Sequence, residues 1–205
     1  MPARARPIRL RPVKHPFRRK NLNPRLLPIY GLAAAAFVLA EPTAMGLAVG
    51  GALVCAGMAL RVWGAGHLVK NACLTVSGPY AHLRHPLYAG TLLLGVGFAV
   101  IAGGIALVLV LACFAPFFFL YYLPYKDRIE SARLERRYGA AFAAYRAQVR
   151  PLVPSLAPWR PQAALVPERT RRWSPARFRE NSEPGMLLGV GLAFLLLALR
   201  PVLVS

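Results

Sequence analysis

The chain has 205 residues, 57% hydrophobic and only 16% charged, with a mean hydropathy of +0.44, values that exclude an ordinary soluble domain and indicate a membrane protein. Lysine and arginine outnumber aspartate and glutamate 26 to 7, a formal charge of +19, which suits contact with anionic lipid or nucleic acid, and the hydropathy favours lipid. Three cysteines without paired spacing exclude a disulfide scaffold or cysteine-bound zinc, and His15, His67, His82 and His85 form no i, i+4 pair, so no metal is expected.

Residues 1–25 form a basic arm, expected to be disordered and to face lipid on the cytoplasmic side. Beyond Phe17 it lacks the interleaved aromatics of a nucleic-acid binder, so no nucleic-acid partner is expected. An apolar run from Leu26 to Ala40 closes at Glu41-Pro42, and a second runs from Thr43 to Trp63, which predicts a transmembrane hairpin over 26–63. A cleavable signal ending near Val38-Leu39-Ala40 is the competing reading of the first run. From Leu87 to Tyr122 the chain carries no charge and is too long for one span. Gly103-Gly104 predicts a turn that divides it in two, and Pro116 a kink in the second half.

Lys126 to about Val149 reads as an amphipathic helix, with Leu134, Tyr138, Phe142, Tyr145 and Val149 along one face. Residues 151–184 are rich in proline and arginine and predict an irregular cytoplasmic segment in which Trp159 and Trp173 anchor at the interface. Residues 185–205 hold a last span, from Met186 to Ser205, whose Arg200 can snorkel to the interface. The fold expected is an all-α polytopic membrane helix bundle of about five transmembrane helices with a cytoplasmic amphipathic helix.

Basic residues set the orientation. Nine precede the first span, three (Arg61, Lys70, Arg84) surround the second connection, and thirteen lie between Lys126 and Arg179. With the N-terminus in the cytoplasm, only Arg200 falls on the far side, as the tendency of basic loops to stay inside requires. A bacterial inner membrane is compatible with the alanine- and arginine-rich composition. A homodimer would pack through glycine-bearing spans, at Gly46, Gly50 and Gly51 or at Gly95 and Gly97.

The connection 64–86 gathers Lys70, Asn71, Tyr80, Arg84 and His85 just before a charge-free span. Gly78-Pro79-Tyr80 breaks the chain, and Pro86 suits the first turn of the next helix, where its missing N–H is not needed. Arg84 and His85 then stand at a helix N-terminus, where free N–H groups and a fixed guanidinium favour an anionic group. The competing reading is an arginine anchored to lipid phosphate and a histidine that caps the helix. Glu130 lies one turn before Leu134, and its pairing with Lys126 or Arg133 could equally be a surface ion pair.

Leu74-Thr75-Val76-Ser77-Gly78-Pro79-Tyr80, followed by Arg84-His85-Pro86-Leu87-Tyr88-Ala89-Gly90, resembles the Gly-Pro-Tyr and Arg-His-Pro-x-Tyr-x-Gly signatures of the isoprenylcysteine carboxyl methyltransferase and phospholipid methyltransferase superfamily. The family's downstream Glu-Glu-x-x-Leu-x-x-x-Phe-Gly resembles the stretch from Glu130 through Leu134 to Tyr138-Gly139, followed by Phe142, Tyr145 and Val149. Ser131 departs from it, standing where the second glutamate belongs, and Phe142 stands where a tyrosine is common. The likeness covers roughly residues 60–155, and the methyltransferase core is placed at 64–150.

This resemblance implies an integral membrane enzyme that binds S-adenosylmethionine in a cytoplasm-facing pocket. Carried over by position, Leu74, Thr75, Gly78, Tyr80, His85, Pro86, Leu87, Tyr88 and Glu130 would contact the cofactor, and Arg84, His85 and Glu130 would be the catalytic set. Arg84 or the helix N-terminus would hold a carboxylate, Glu130 would accept from an amine or ribose hydroxyls, and Tyr80 or Tyr88 would pack on adenine or the sulfonium. A lipid or isoprenoid acceptor would enter between helices with its tail in the bilayer. Two rival readings stay open: a membrane reductase using a nicotinamide cofactor, although no Gly-x-Gly-x-x-Gly loop occurs, and a non-catalytic scaffold or small transporter. Against a transporter, the polar groups gather at one surface rather than at mid-membrane.

Overall fold

A computed structural model describes residues 27–69, 73–160, 172–181 and 183–203, and every described element is helical. The basic arm, Lys70, Asn71 and residues 161–171 lie outside the described residues. Helix α1 (Leu27–Val38) is short, 12 residues, because Glu41-Pro42 stops the apolar run. Thr43 then caps α2 (Ala44–His67), its hydroxyl accepting from the Gly46 N–H at 3.0 Å. At 24 residues α2 rises about 36 Å, more than the bilayer core requires.

Pro86 opens α3 (Pro86–Ala102), as its missing N–H favours. The break expected at the glycine pair is present: Gly103 and Gly104 have φ of 64° and 48°, and α4 (Gly104–Pro116) starts there. After Pro116, α4 passes through a π-helical stretch, Phe117–Tyr122, directly into α5 (Leu123–Tyr138). Pro116 and Pro124 bracket the π stretch, and neither has the N–H an α-helical turn would use.

The amphipathic element expected as one helix from Lys126 to Val149 is two. It breaks at Gly139, whose φ of 47° favours glycine, and α6 (Ala140–Gln148) follows. The stripe residues nevertheless converge: Phe142, Tyr145 and Val149 are buried with Leu74 and Val76, and Leu134, Tyr138 and Trp159 pack around them. Within the proline- and arginine-rich segment, Pro175–Glu180 forms a short helix, α7, before α8 (Glu183–Leu203).

Among the described residues three helices are long and apolar enough to cross a membrane, Ala44–His67, the continuous Gly104–Tyr138 and Glu183–Leu203, and α3 is a shorter apolar helix of 17 residues. These are compatible with an integral membrane protein. Their outer faces expose Met45, Val108, Leu120 and Leu188, as hydrocarbon rather than water would favour.

Glycines bring α2 and α3 into close approach. A Cβ on Gly50 would lie 2.6 Å from the Gly97 carbonyl oxygen, and one on Gly57 would lie 2.8 Å from that of Gly90. Gly51 faces Phe194 of α8, and Gly95 faces Phe114 of α4. The glycines expected to receive a second copy are therefore in contact within one chain.

The helix ends sort into two groups. At one end the Glu41 N–H donates to the Ala102 carbonyl, Glu41 packs on Gly103 and Gly104, and Arg200 donates to the Val38 carbonyl at 2.7 Å. At the other end the last turn of α2, the start of α3, α5 and the start of α8 meet. Here Arg61 makes a largely buried, two-pronged ion pair with the buried Glu183, at 2.8 and 3.2 Å, and its remaining nitrogen donates to the Leu87 carbonyl and the Thr91 hydroxyl. One side chain thus fastens α2, α3 and α8 together.

Candidate functional site

The connection expected to carry the polar cluster is held by its own backbone against residues 150–159. Arg84 N–H donates to the Arg150 carbonyl, His85 N–H to Pro151, Ser155 N–H to His82 and Trp159 N–H to Ala81. The Tyr145 hydroxyl adds a bond to the Tyr80 carbonyl at 2.8 Å. Burial pushes the phenols of Tyr80 and Tyr145 well above their usual range, so both stay neutral donors.

Between this connection, α6 and the facing side of α5 lies a cavity of about 350 Å³, at the small end of the range for small-molecule pockets. Leu74, Thr75, Tyr80, His85, Pro86, Leu87, Tyr88 and Glu130 line it, as does Arg84. Gly78 does not. It opens the 3-10 turn Gly78–Ala81 with φ 60°, and a Cβ there would meet the His67 ring at 2.7 Å, so its role is to shape the turn and pack under His67.

Tyr88 and His85 both reach across the cavity to α5. The Tyr88 hydroxyl donates to Glu130 Oε1 at 2.5 Å, and the Tyr88 ring stacks on His85 with centroids 4.9 Å apart. His85 Nε2 lies 2.7 Å from Asp127 Oδ1, and its Nδ1 faces Glu130 Oε2 at 3.7 Å. Asp127 was not among the expected site residues. It sits one turn before Ser131 and three residues before Glu130, so helical spacing alone would place it on the same side of α5.

Arg84 is nine-tenths buried, and its Nε and Nη1 have no hydrogen-bond partner among the described residues. Nη1 stands 3.8 Å from Asp127 Oδ1, too far for a hydrogen bond. A buried guanidinium with idle donors is costly, and an anionic ligand group would satisfy it. The helix N-terminus is the weaker candidate for that anion, because the Tyr88 and Ala89 N–H groups already donate to the His85 carbonyl.

Sequence reasoning did not place Leu68, Val69, Arg133 and Arg137 on the cavity, yet all four line it. The first two follow α2, and no local pattern marks them. Arg133 and Arg137 stand one helical turn apart on α5, and their spacing to Glu130 was the available signal. Comparison with family models, curated proteins and solved structures finds no match to this chain.

Proposed function

We propose that the chain is an integral membrane methyltransferase that uses S-adenosylmethionine and acts on a lipid-like or isoprenoid acceptor at the cytoplasmic face of the membrane, in bacteria the inner membrane. The observation that carries this reading is the meeting of two motifs, 42 residues apart, on one cavity through Tyr88 and Glu130. The residues suit the cofactor. The buried, unpartnered Arg84 nitrogens fit its carboxylate, Glu130 Oε2 fits an amine or ribose hydroxyl, and Tyr80 and Tyr88 offer aromatic faces.

When bound, the cofactor supplies a sulfonium methyl group for in-line displacement by the acceptor. The work left to the protein is orientation and exclusion of water. The packed cluster of Leu74, Val76, Phe142, Tyr145 and Val149 closes one side of the cavity against solvent. His85 and Glu130 are the groups within the cavity able to take a proton from an acceptor that must lose one. The apolar outer faces of α4 and α8 suit an acceptor whose tail remains in the bilayer.

In this reading the chain crosses five times, by α1, α2, α3, the α4–π segment and α8, with the site end in the cytoplasm. What supports this is the gathering of Glu41, Gly103 and Arg200 at the opposite end and the concentration of basic residues at the site end. In this arrangement α5 and α6 lie as cytoplasmic amphipathic helices over the site.

Equilibrium binding to the detergent-purified protein tests the reading. Saturable binding of S-adenosylmethionine and S-adenosylhomocysteine, weakened by His85→Ala and Glu130→Gln, is the expected result. Binding of NADPH with neither of these would overturn it in favour of a reductase, and binding of none of the three by folded protein would favour a scaffold.

A further inference from the structure

Ser131 is one of the points at which this chain departs from the motif it resembles, and the structure places a carboxylate against it. Asp127, one helical turn earlier on α5, receives the Ser131 hydroxyl on Oδ1 at 3.1 Å. The same oxygen lies 2.7 Å from His85 Nε2 and 3.8 Å from Arg84 Nη1. Ser131 itself is buried and lines the cavity, whereas Asp127 stands behind His85 and outside the lining.

We propose that Asp127 is the positioning residue for His85, supplying from one turn earlier the carboxylate that Ser131 lacks. An ionised carboxylate only accepts hydrogen bonds, so the 2.7 Å contact requires the proton on Nε2. In the neutral ring this leaves the Nδ1 lone pair turned toward Glu130 Oε2. Neither of those two acceptors, 3.7 Å apart, has a proton to give the other, and between them they present an acceptor pair to an N–H or O–H of a ligand. Ser131 serves as a second donor that holds the Asp127 carboxylate in place, and Tyr88 stacks on the imidazole and fixes Glu130. The charged and titratable groups around the ring are thus Asp127, Glu130, Arg84 and Tyr88, from α3 with its preceding connection and from α5. The identity of the ligand rests on the methyltransferase reading, and the state of the histidine does not.

Two readouts on the full-length protein in detergent keep these apart. In the first, nitrogen NMR of ring-labelled histidine, with the His85 signals identified by their loss in His85→Gln, reports which nitrogen carries the proton. Wild type should show His85 protonated on Nε2 at neutral pH. Asp127→Ala should mix the two tautomers, Asp127→Glu should keep the wild-type state, and Asp127→Ala with Ser131→Glu should recover it. If the alanine variant does not fold, the near-isosteric Asp127→Asn takes its place in the same spectrum. In the second, S-adenosylhomocysteine binding should weaken about tenfold in Asp127→Ala, the scale of one lost hydrogen bond. Restoration by Ser131→Glu is expected.

His85 nitrogens that do not respond to Asp127→Ala would overturn the proposal, even if binding fell, because that pattern marks a merely structural residue. Failure of Ser131→Glu to restore the tautomer would overturn the relocation of the carboxylate. A tautomer that follows Asp127 in a protein that binds no S-adenosylhomocysteine would support the positioning role and reject the methyltransferase reading.

Discussion

His85 and Glu130 both line the cavity, while Glu135 is exposed and outside it, and these placements separate their expected effects. His85→Ala removes the ring that touches both Asp127 and Tyr88, and Glu130→Gln removes the charge beside Nδ1. Each should weaken S-adenosylmethionine binding by about tenfold or more, some 1.4 kcal/mol, without loss of membrane insertion. Glu135→Gln should leave binding within about twofold of wild type, as surface substitutions commonly do. Isothermal titration or equilibrium dialysis on the three variants checks the ranking, and equal losses in all three would break the assignment. Ser131 shows why one residue type read in isolation misleads. Its hydroxyl is weak chemistry alone, yet it donates to the carboxylate that holds His85.

Close approach of α2 to α3 depends on glycine at facing positions. Gly50→Val would drive side-chain atoms into the Gly97 carbonyl and Ile101, neither of which can move without shifting a helix. The expected cost is about 1–3 kcal/mol, read as a lower unfolding midpoint in detergent. Gly31→Val, at a glycine with nothing within 4 Å among the described residues, is the control and should show little change. At the site end of α2, Gly66 accommodates the Trp173 indole, which donates to the Val62 carbonyl at 3.0 Å. Gly66→Ala should dislodge Trp173, with a rise in its fluorescence exposure as the measurement. Asn181 and Ser174 bond to carbonyls of the same helix end, so the segment before α8 is docked on α2 by several short polar contacts.

On the scale of the whole molecule, Arg61 and Glu183 join parts of the chain 122 residues apart. Removing one partner strands the other charge in a buried setting, which commonly costs about 3–5 kcal/mol. Arg61→Met and Glu183→Leu should therefore each lower thermal stability sharply. The double variant should recover most of the loss, since an apolar pair needs no partner. Additive losses in this double-mutant cycle would mean that the bond to Leu87 and Thr91, rather than the ion pair, carries the effect. The crossing pattern has its own test. Cysteine placed at Glu41 or Gly103 should be labelled only from the outer side, and cysteine at Ser155 only from the cytoplasmic side. Labelling of Glu41 and Ser155 positions from one side would contradict five crossings.

Much of the architecture was readable in one dimension because its causes are local. Apolar runs predict helices, Glu41-Pro42 and Gly103-Gly104 end them through missing donors and positive φ, and the stripe from Leu134 to Val149 marks a face that must be covered. Local signals also misjudged continuity. Lys126 looked like a helix start because charge begins there, yet the backbone runs unbroken from α4, since a change of polarity does not interrupt hydrogen bonding along a helix. Gly139 broke what side-chain periodicity alone read as continuous. The partners of charged groups belong to the tertiary structure. Arg61 with Glu183, Asp127 with His85 and the buried guanidinium of Arg84 beside Asp127 are set by which helices stand side by side, information that no spacing along the chain contains.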